Sequence, residues 1–187
     1  MNEIIGKIKS SGRAAFRTKE FAVLLGKKEY ARQVLHRLKE KNELISIKKG
    51  WWAFPDAMPE AVACELFMPC YISFHSALYL HGLTTQIPKK VQLAVTKNSR
   101  SISVFGVQIK KYKIKQKEFN GFCKKDNLLL ASKEKAFADA VNYPRSCPEI
   151  VLKEAISCVE LKQVRTYLNS EESRRRFLRL IKYVNKR

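Results

Sequence analysis

Ile4, Ile5 and Ile8 fall on one side of a helical wheel, so residues 2–9 are expected to form a short helix, interrupted by Ser10-Ser11-Gly12. Thr18 suits the N-cap of a second helix over 19–25, with Phe21, Leu24 and Leu25 apolar and Gly26 as its stop. The longest stripe follows. Tyr30, Ala31, Val34, Leu35 and Leu38 recur every three to four residues and predict a helix over 28–41 with Asn42 just past its end. Its other face carries Lys28, Glu29, Arg32, Gln33, His36, Arg37 and Lys39. The period then changes: residues 44–47 and 51–54 read as two short strands joined at Lys48-Lys49-Gly50.

Residues 55–59 form a turn or linker, which sets the expected domains at 1–55 and 56–187. Beyond it, 60–67 suits a short helix, and Ser73 caps another with Ala77, Leu78 and Leu80 apolar, closed by Gly82. Residues 91–95 alternate like a strand, 102–105 and 107–114 read as strands turning at Gly106, and 128–131 suits one more. A helix opens at 132–135, places Ala136, Phe137, Ala140 and Val141 on one face, and ends at Tyr143-Pro144. Helices over 148–158, 160–168 and 171–185 complete the chain, the last capped by Ser170 with Phe177, Leu178, Ile181 and Val184 as its buried stripe. The fold class expected is α+β: an N-terminal winged helix-turn-helix, then a mixed α/β domain with a small antiparallel sheet and a helical C-terminus.

Charge changes the picture from a generic domain to a binding protein. The 187 residues include 37 Lys and Arg against 17 Asp and Glu, a formal charge of +20, while apolar residues at 45% leave enough to bury a core. Residues 1–55 carry 13 basic and 5 acidic side chains. Residues 66–117 carry nine basic ones, including Lys89, Lys90, Lys97, Arg100 and Lys117, and none acidic. Arg174-Arg175-Arg176 adds a third cluster. Such a distribution attracts phosphate backbones, anionic surfaces or acidic proteins. No apolar run is long enough for a membrane helix, residues 1–16 lack the apolar core of a secretory signal, and five irregularly spaced cysteines suit reduced thiols. These point to a cytoplasmic protein with no membrane partner.

The order helix, helix, turn, helix, basic hairpin is that of a winged helix, and double-stranded DNA is its expected partner. The N-terminal half of the third helix offers Lys28, Arg32, Gln33 and His36 to base edges, where Arg suits guanine and Gln suits adenine, and Arg37 is a further expected DNA-binding residue. Lys48 and Lys49 at the hairpin tip, and Arg17, Thr18 and Lys19 at the start of the second helix, are expected on phosphates. Lys89, Lys90, Lys110, Lys111, Lys113 and Lys115 make a second basic face. Trp51 and Trp52 read as hairpin packing rather than base-stacking groups.

Catalytic and metal chemistry find little support. His75 and Ser76 are adjacent on a presumed helix and cannot face each other, Glu134 and Asp139 are five apart, and the glycines form no phosphate-binding loop. Cys64, Cys70, His75 and His81 have a C-x5-C-x4-H-x5-H spacing that departs from zinc fingers, so no metal and no cofactor are expected.

The string Tyr71-Ile72-Ser73-Phe74-His75-Ser76-Ala77-Leu78-Tyr79-Leu80-His81-Gly82-Leu83-Thr84 resembles the AbiEi-type antitoxin family of type IV toxin–antitoxin systems. Pro88-Lys89-Lys90-Val91 and Glu134-Lys135-Ala136 with Asp139 extend the resemblance over about residues 13–144, although Ala138-Asp139-Ala140 replaces a more Leu-rich run. The resemblance implies a transcriptional repressor that binds promoter inverted repeats of its own operon. It also implies a C-terminal domain needed for antitoxicity, which reinforces DNA binding through its basic face, and a nucleotidyltransferase-like toxin encoded next door. The alternatives are a module that neutralises a toxin by direct contact and an RNA-binding protein.

Overall fold

The computed structural model describes residues 2–97 and 102–184. Arg100, counted among the basic residues above, and Asn185, the expected end of the last helix, lie outside the described residues. The architecture is α+β with a helical C-terminus, and the chain divides into two compact units, Met1–Met68 and Pro69–Arg187.

The first unit runs α1 (Asn2–Ser10), β1 (Ala15–Arg17), α2 (Thr18–Leu25), α3 (Lys28–Glu40), β2 (Ile45–Lys48), β3 (Trp51–Ala53) and α4 (Pro59–Phe67). The strands form an antiparallel sheet in the order β1-β3-β2. Four of the five stripe positions of α3 do what their spacing predicts: Ala31, Val34, Leu35 and Leu38 are buried, together with Phe21 of α2, Ile8 of α1 and Phe54, whereas Tyr30, in the first turn, is 40% exposed. Phe16 of β1 lies at the centre, its ring 6.0 Å from Phe21 and 5.9 Å from Phe54. Gly26 ends α2 at φ +71, a left-handed conformation that costs other residues more, and its N–H reaches Ala22 O at 3.1 Å.

The unit boundary lies at 68/69 rather than at 55/56. Pro59 sits in the first turn of α4, where its fixed φ suits a helix and its missing N–H costs nothing. The helix then buries Val62, Ala63, Cys64 and Leu66 and packs on β1. Glu65 accepts from Arg13 at 3.2 Å, so α4 is tied to the first unit by charge as well as by apolar area.

The second unit runs β4 (Cys70–Ile72), α5 (Phe74–Leu80), β5 (Val91–Val95), β6 (Ser103–Val104), β7 (Val107–Lys113), β8 (Phe122–Lys125), β9 (Leu128–Ala131), α6 (Lys133–Asn142), α7 (Glu149–Ala155), α8 (Leu161–Thr166) and α9 (Glu171–Val184). Among the described residues the strands form one sheet in the order β6-β7-β5-β4-β9-β8. The sheet is mixed rather than antiparallel: β5 pairs with β7 and β4 with β9 in parallel. Parallel partners need a crossover between them, and such strands are covered on both faces. All five residues of β5 are buried, including Gln92, whose amide is hydrogen-bonded. One edge is the two-residue β6; the other is β8, which ends in Lys124 and Lys125, both exposed.

On α9 the buried positions are Ser173, Phe177 and Leu180, not Leu178, which is 48% exposed. The stripe is rotated because α9 packs on α6 and α7 through the 173–177–180 line. Ser170 Oγ accepts from the Ser173 N–H at 3.2 Å, the bond an N-cap makes.

A polar group sits where the sequence suggested only packing. Lys135 and Asp139 of α6 are each about 1% exposed. Lys135 Nζ lies 2.8 Å from Asp139 Oδ1, while the hydroxyls of Ser73 (2.7 Å) and Tyr71 (3.1 Å) donate to Oδ2. Burial pushes the Asp139 carboxyl above the ordinary carboxylate range, and the Lys135 ammonium and the two hydroxyls pull it back. The stem of Lys135 lies against Gly121 (φ +70), where a Cβ would stand 3.0 Å from Lys135 Cγ and from the Tyr167 ring.

Cys64, Cys70 and Cys147 are buried, whereas Cys123 and Cys158 are exposed, and none is in a disulfide. Burial pushes the Cys147 thiol up to about 12. In the native protein at about pH 8, the Cys123 and Cys158 thiols are expected to react with a disulfide reagent, because both are exposed. The three buried thiols should follow only as the protein unfolds. A time course with more than two fast equivalents of released thiolate would contradict this packing.

Candidate nucleic-acid interface

Packing of α3 through Ala31, Val34, Leu35 and Leu38 leaves Lys28, Arg32, Gln33, His36 and Arg37 exposed. The start of α2 lies beside it because Gly26 and Lys27 allow only a short turn between the two helices. The β2–β3 hairpin closes the third side, with Gly50 at φ +77 at its tip. Between these elements lies an open depression of about 650 Å³. Arg17, Thr18 and Lys19 line it from the α2 start, Arg32 and His36 from α3, and Lys49 with Trp51 and Trp52 from the hairpin. None of the lining residues is acidic.

Six of the ten residues expected to contact DNA thus meet in one place. Lys28, Gln33 and Arg37 stay on the exposed surface of α3 but do not line the depression. Lys48 departs from expectation. Its ammonium lies 5.5 Å from the Trp51 ring centroid and 5.4 Å from that of Phe67. Burial, and next the neighbouring Arg17, lower its pKa from the ordinary lysine value. The cause is a register irregularity between Ser46 and Lys48, which sets Lys48 across from Trp51. An extra residue of this kind re-aims the side chains beyond it. Lys48 thus lies half-buried against two rings and outside the depression, and Lys49 is the hairpin cation that lines it.

The tryptophans are structural. Trp51 and Trp52 are 9% and 7% exposed. Arg17 stands 4.9 Å from the Trp51 ring centroid, so cations cover that ring from both neighbouring strands. Trp52 belongs to the core cluster, donates from Nε1 to Thr18 Oγ1 at 2.8 Å, and meets the edge of His36 at 6.1 Å. One indole therefore joins the α2 start, α3 and the hairpin. On the same side, the Glu20 carboxylate is taken up by the Arg17 N–H (2.9 Å) and by Arg13 (3.1 Å), so it does not oppose the cations.

In the second unit the expected basic face divides. Successive residues of a strand point to opposite sides of the sheet. Lys110 and Tyr112 of β7 share one side, with the Lys110 ammonium 5.7 Å from the Tyr112 centroid, whereas Lys111 and Lys113 fall on the other. Lys89 and Lys90 join Lys110 around a groove of about 530 Å³, and Arg145 completes it. Lys115 lies past the strand, its N–H directed to Glu118 at 3.4 Å. The cation Arg145 was missed because its neighbourhood, Tyr143-Pro144, signals only a helix end.

The two histidines of the cysteine–histidine string are used locally. A carbonyl only accepts, so His75 Nε2 donates to Gln86 O (2.8 Å) and His81 Nε2 to Ala131 O (2.7 Å). Burial holds the His75 imidazole below its ordinary value, which leaves it neutral at pH 7. Among the described residues no group of three or more His, Cys, Asp or Glu is placed to hold a metal ion. No described helix is long and apolar enough to cross a membrane.

No protein-family model and no curated protein matches the chain. Its fold is similar to that of the RV2827C protein from Mycobacterium tuberculosis, known from a crystal structure, with a TM-score of 0.66 at 11% sequence identity over 96% of this chain and 75% of that one.

Proposed function

We propose that this protein is a DNA-binding transcriptional regulator whose first unit is a winged helix-turn-helix, and that it acts in the cytoplasm as the antitoxin of a toxin–antitoxin pair. The observation that carries the DNA-binding part is the acid-free depression at which the α2 start, the outer face of α3 and the hairpin tip converge. Its cations come from three separate elements around a rigid indole, an arrangement that fits a phosphate backbone beside a helix in the major groove. Arg32 and Gln33 on α3 are the residues for base edges; Arg17, Lys19 and Lys49 are those for phosphates. The antitoxin role, promoter inverted repeats as the operator and a nucleotidyltransferase-like toxin as partner follow from the resemblance to the AbiEi-type family. It is a binding role and assigns no catalytic residue.

The two hairpin lysines give a direct test. Lys49→Ala should weaken binding to DNA upstream of the protein's own gene and lower the salt slope by roughly 0.9, the share of one phosphate contact. Lys48→Ala should leave that slope in place. Mobility-shift titrations at several salt concentrations check this: an unchanged slope in Lys49→Ala would place the hairpin tip outside the interface, and equal losses for the two variants would give Lys48 a phosphate contact of its own. The antitoxin role is tested by co-expression with the neighbouring gene: rescue of growth supports it, and undiminished toxicity removes it.

A further inference from the structure

We propose that the groove of the second unit between β7, the segment 86–92 and the turn at 143–148 is a binding site for a small polyanion carrying two or more phosphate groups. Four cationic side chains line it: Lys89 and Lys90 from the approach to β5, Lys110 from β7 and Arg145 from the turn. Among the described residues none of the four is paired with a carboxylate, and no lining residue is acidic. Its volume of about 530 Å³ is in the size range of small-molecule sites.

The backbone that carries the cations is held by neutral hydrogen bonds. The Tyr112 hydroxyl donates to Arg145 O at 3.1 Å, and Gln92 Nε2 donates to Ser146 O at 2.5 Å, which fastens the Arg145 turn to the sheet. Gln92 Oε1 in turn accepts the Ser76 N–H at 3.2 Å. On the opposite bank, the Ser76 hydroxyl donates to Lys90 O at 3.0 Å, and His75 donates to Gln86 O. Phe74, fully buried at φ +59, turns the chain sharply at the first residue of α5 and so delivers His75 and Ser76 to these partners. A bulky residue in that conformation is strained, and the packing around it has to hold it there.

Charges of one sign gathered around one groove repel, so four exposed cations with no counter-charge have an unmet demand for anionic oxygen. The Glu154 carboxylate forms no ion pair with any of the four, and its oxygens accept instead from Thr84 Oγ1 (2.6 Å) and Gln86 Nε2 (3.2 Å). One carboxylate would leave most of the positive charge uncompensated, whereas a diphosphate carries several negative charges on oxygens that Lys and Arg both satisfy. The faces of Tyr112 are taken by Phe74, at 4.5 Å between centroids, and by Lys110, so recognition is through charge rather than base stacking.

The test is calorimetric titration of the full chain with sodium pyrophosphate at constant ionic strength, with thermal unfolding in parallel. The expected result is one saturable site and a higher unfolding midpoint, with affinity reduced about tenfold or more in Lys110→Ala/Arg145→Ala. Lys89→Gln/Lys90→Gln should weaken binding in the same direction and stands in if the first variant does not fold. Lys19→Ala/Arg32→Ala, in the first unit, should leave the titration unchanged. The proposal is overturned if the heat is lost in that first-unit variant, or if chloride at equal ionic strength reproduces the midpoint. It is also overturned if a single-stranded oligonucleotide binds more tightly than pyrophosphate through the same Lys110 and Arg145, because the groove is then a nucleic-acid site.

Discussion

Asp139→Ala is expected to destabilise the second unit by about 3–5 kcal/mol, the usual cost of leaving one member of a buried ion pair without the other. The variant strands the Lys135 ammonium in a place about 1% exposed and removes the acceptor shared by the Ser73 and Tyr71 hydroxyls. The pair as a whole is a different matter. Burial penalises the Asp139 carboxylate, so the intact pair adds little net stability, and its partial removal is what hurts. Lys135→Met/Asp139→Leu should therefore recover most of the loss, since two apolar side chains of similar size leave no charge behind. Denaturant unfolding of both variants decides it. If the double variant is as unstable as Asp139→Ala, the hydrogen bonds to Ser73 and Tyr71 carry the energy rather than the ammonium.

Replacing Arg17, Lys19, Arg32 and Lys49 together by Ala is expected to lower affinity for non-specific duplex DNA by roughly three orders of magnitude at about 0.1 M salt. The figure follows from counterion release: on non-specific DNA Arg32 has no base edge to select and counts with Arg17, Lys19 and Lys49 as a phosphate contact, and four such contacts contribute a salt slope of roughly 3–4, which fixes how much affinity they supply at a given salt concentration. All four side chains are exposed, and the Trp52 bond to Thr18 remains, so the first unit should stay folded. Melting curves establish that point before the binding is measured. A slope that falls by less than about one would mean the depression is not where DNA lies, whatever else the first unit binds.

The parts of this architecture that were legible in the sequence are those with a repeating apolar period. The α3 stripe fixed which face of that helix is buried and, by subtraction, which residues reach solvent. Short strands lack such a period. The three residues of β1 and the three of β4 are too few to alternate, and β8 reads Phe-Cys-Lys-Lys, so all three become visible only through their neighbours in the sheets. The placement of Lys48 against Trp51 and Phe67 is not legible in the sequence, because one irregular residue in a strand reverses the direction of those after it. The second basic face was misread for a related reason: adjacent lysines of a strand cannot point the same way. Burial of Lys135 and Asp139 left a fainter trace. They are four apart on α6, and around them the helix offers Ala136, Phe137, Ala138, Ala140 and Val141, leaving no polar side for them to occupy.

The strand order of the second unit also bears on how the protein behaves at high concentration. Its central strands are among the most apolar segments of the chain and would template self-assembly if they lay at a rim. Instead, the outermost positions go to a two-residue strand and to one ending in paired lysines. A neighbouring molecule that tried to extend the sheet would find too few free amides on one side and a repulsive charge on the other, which favours discrete particles over fibrous aggregates.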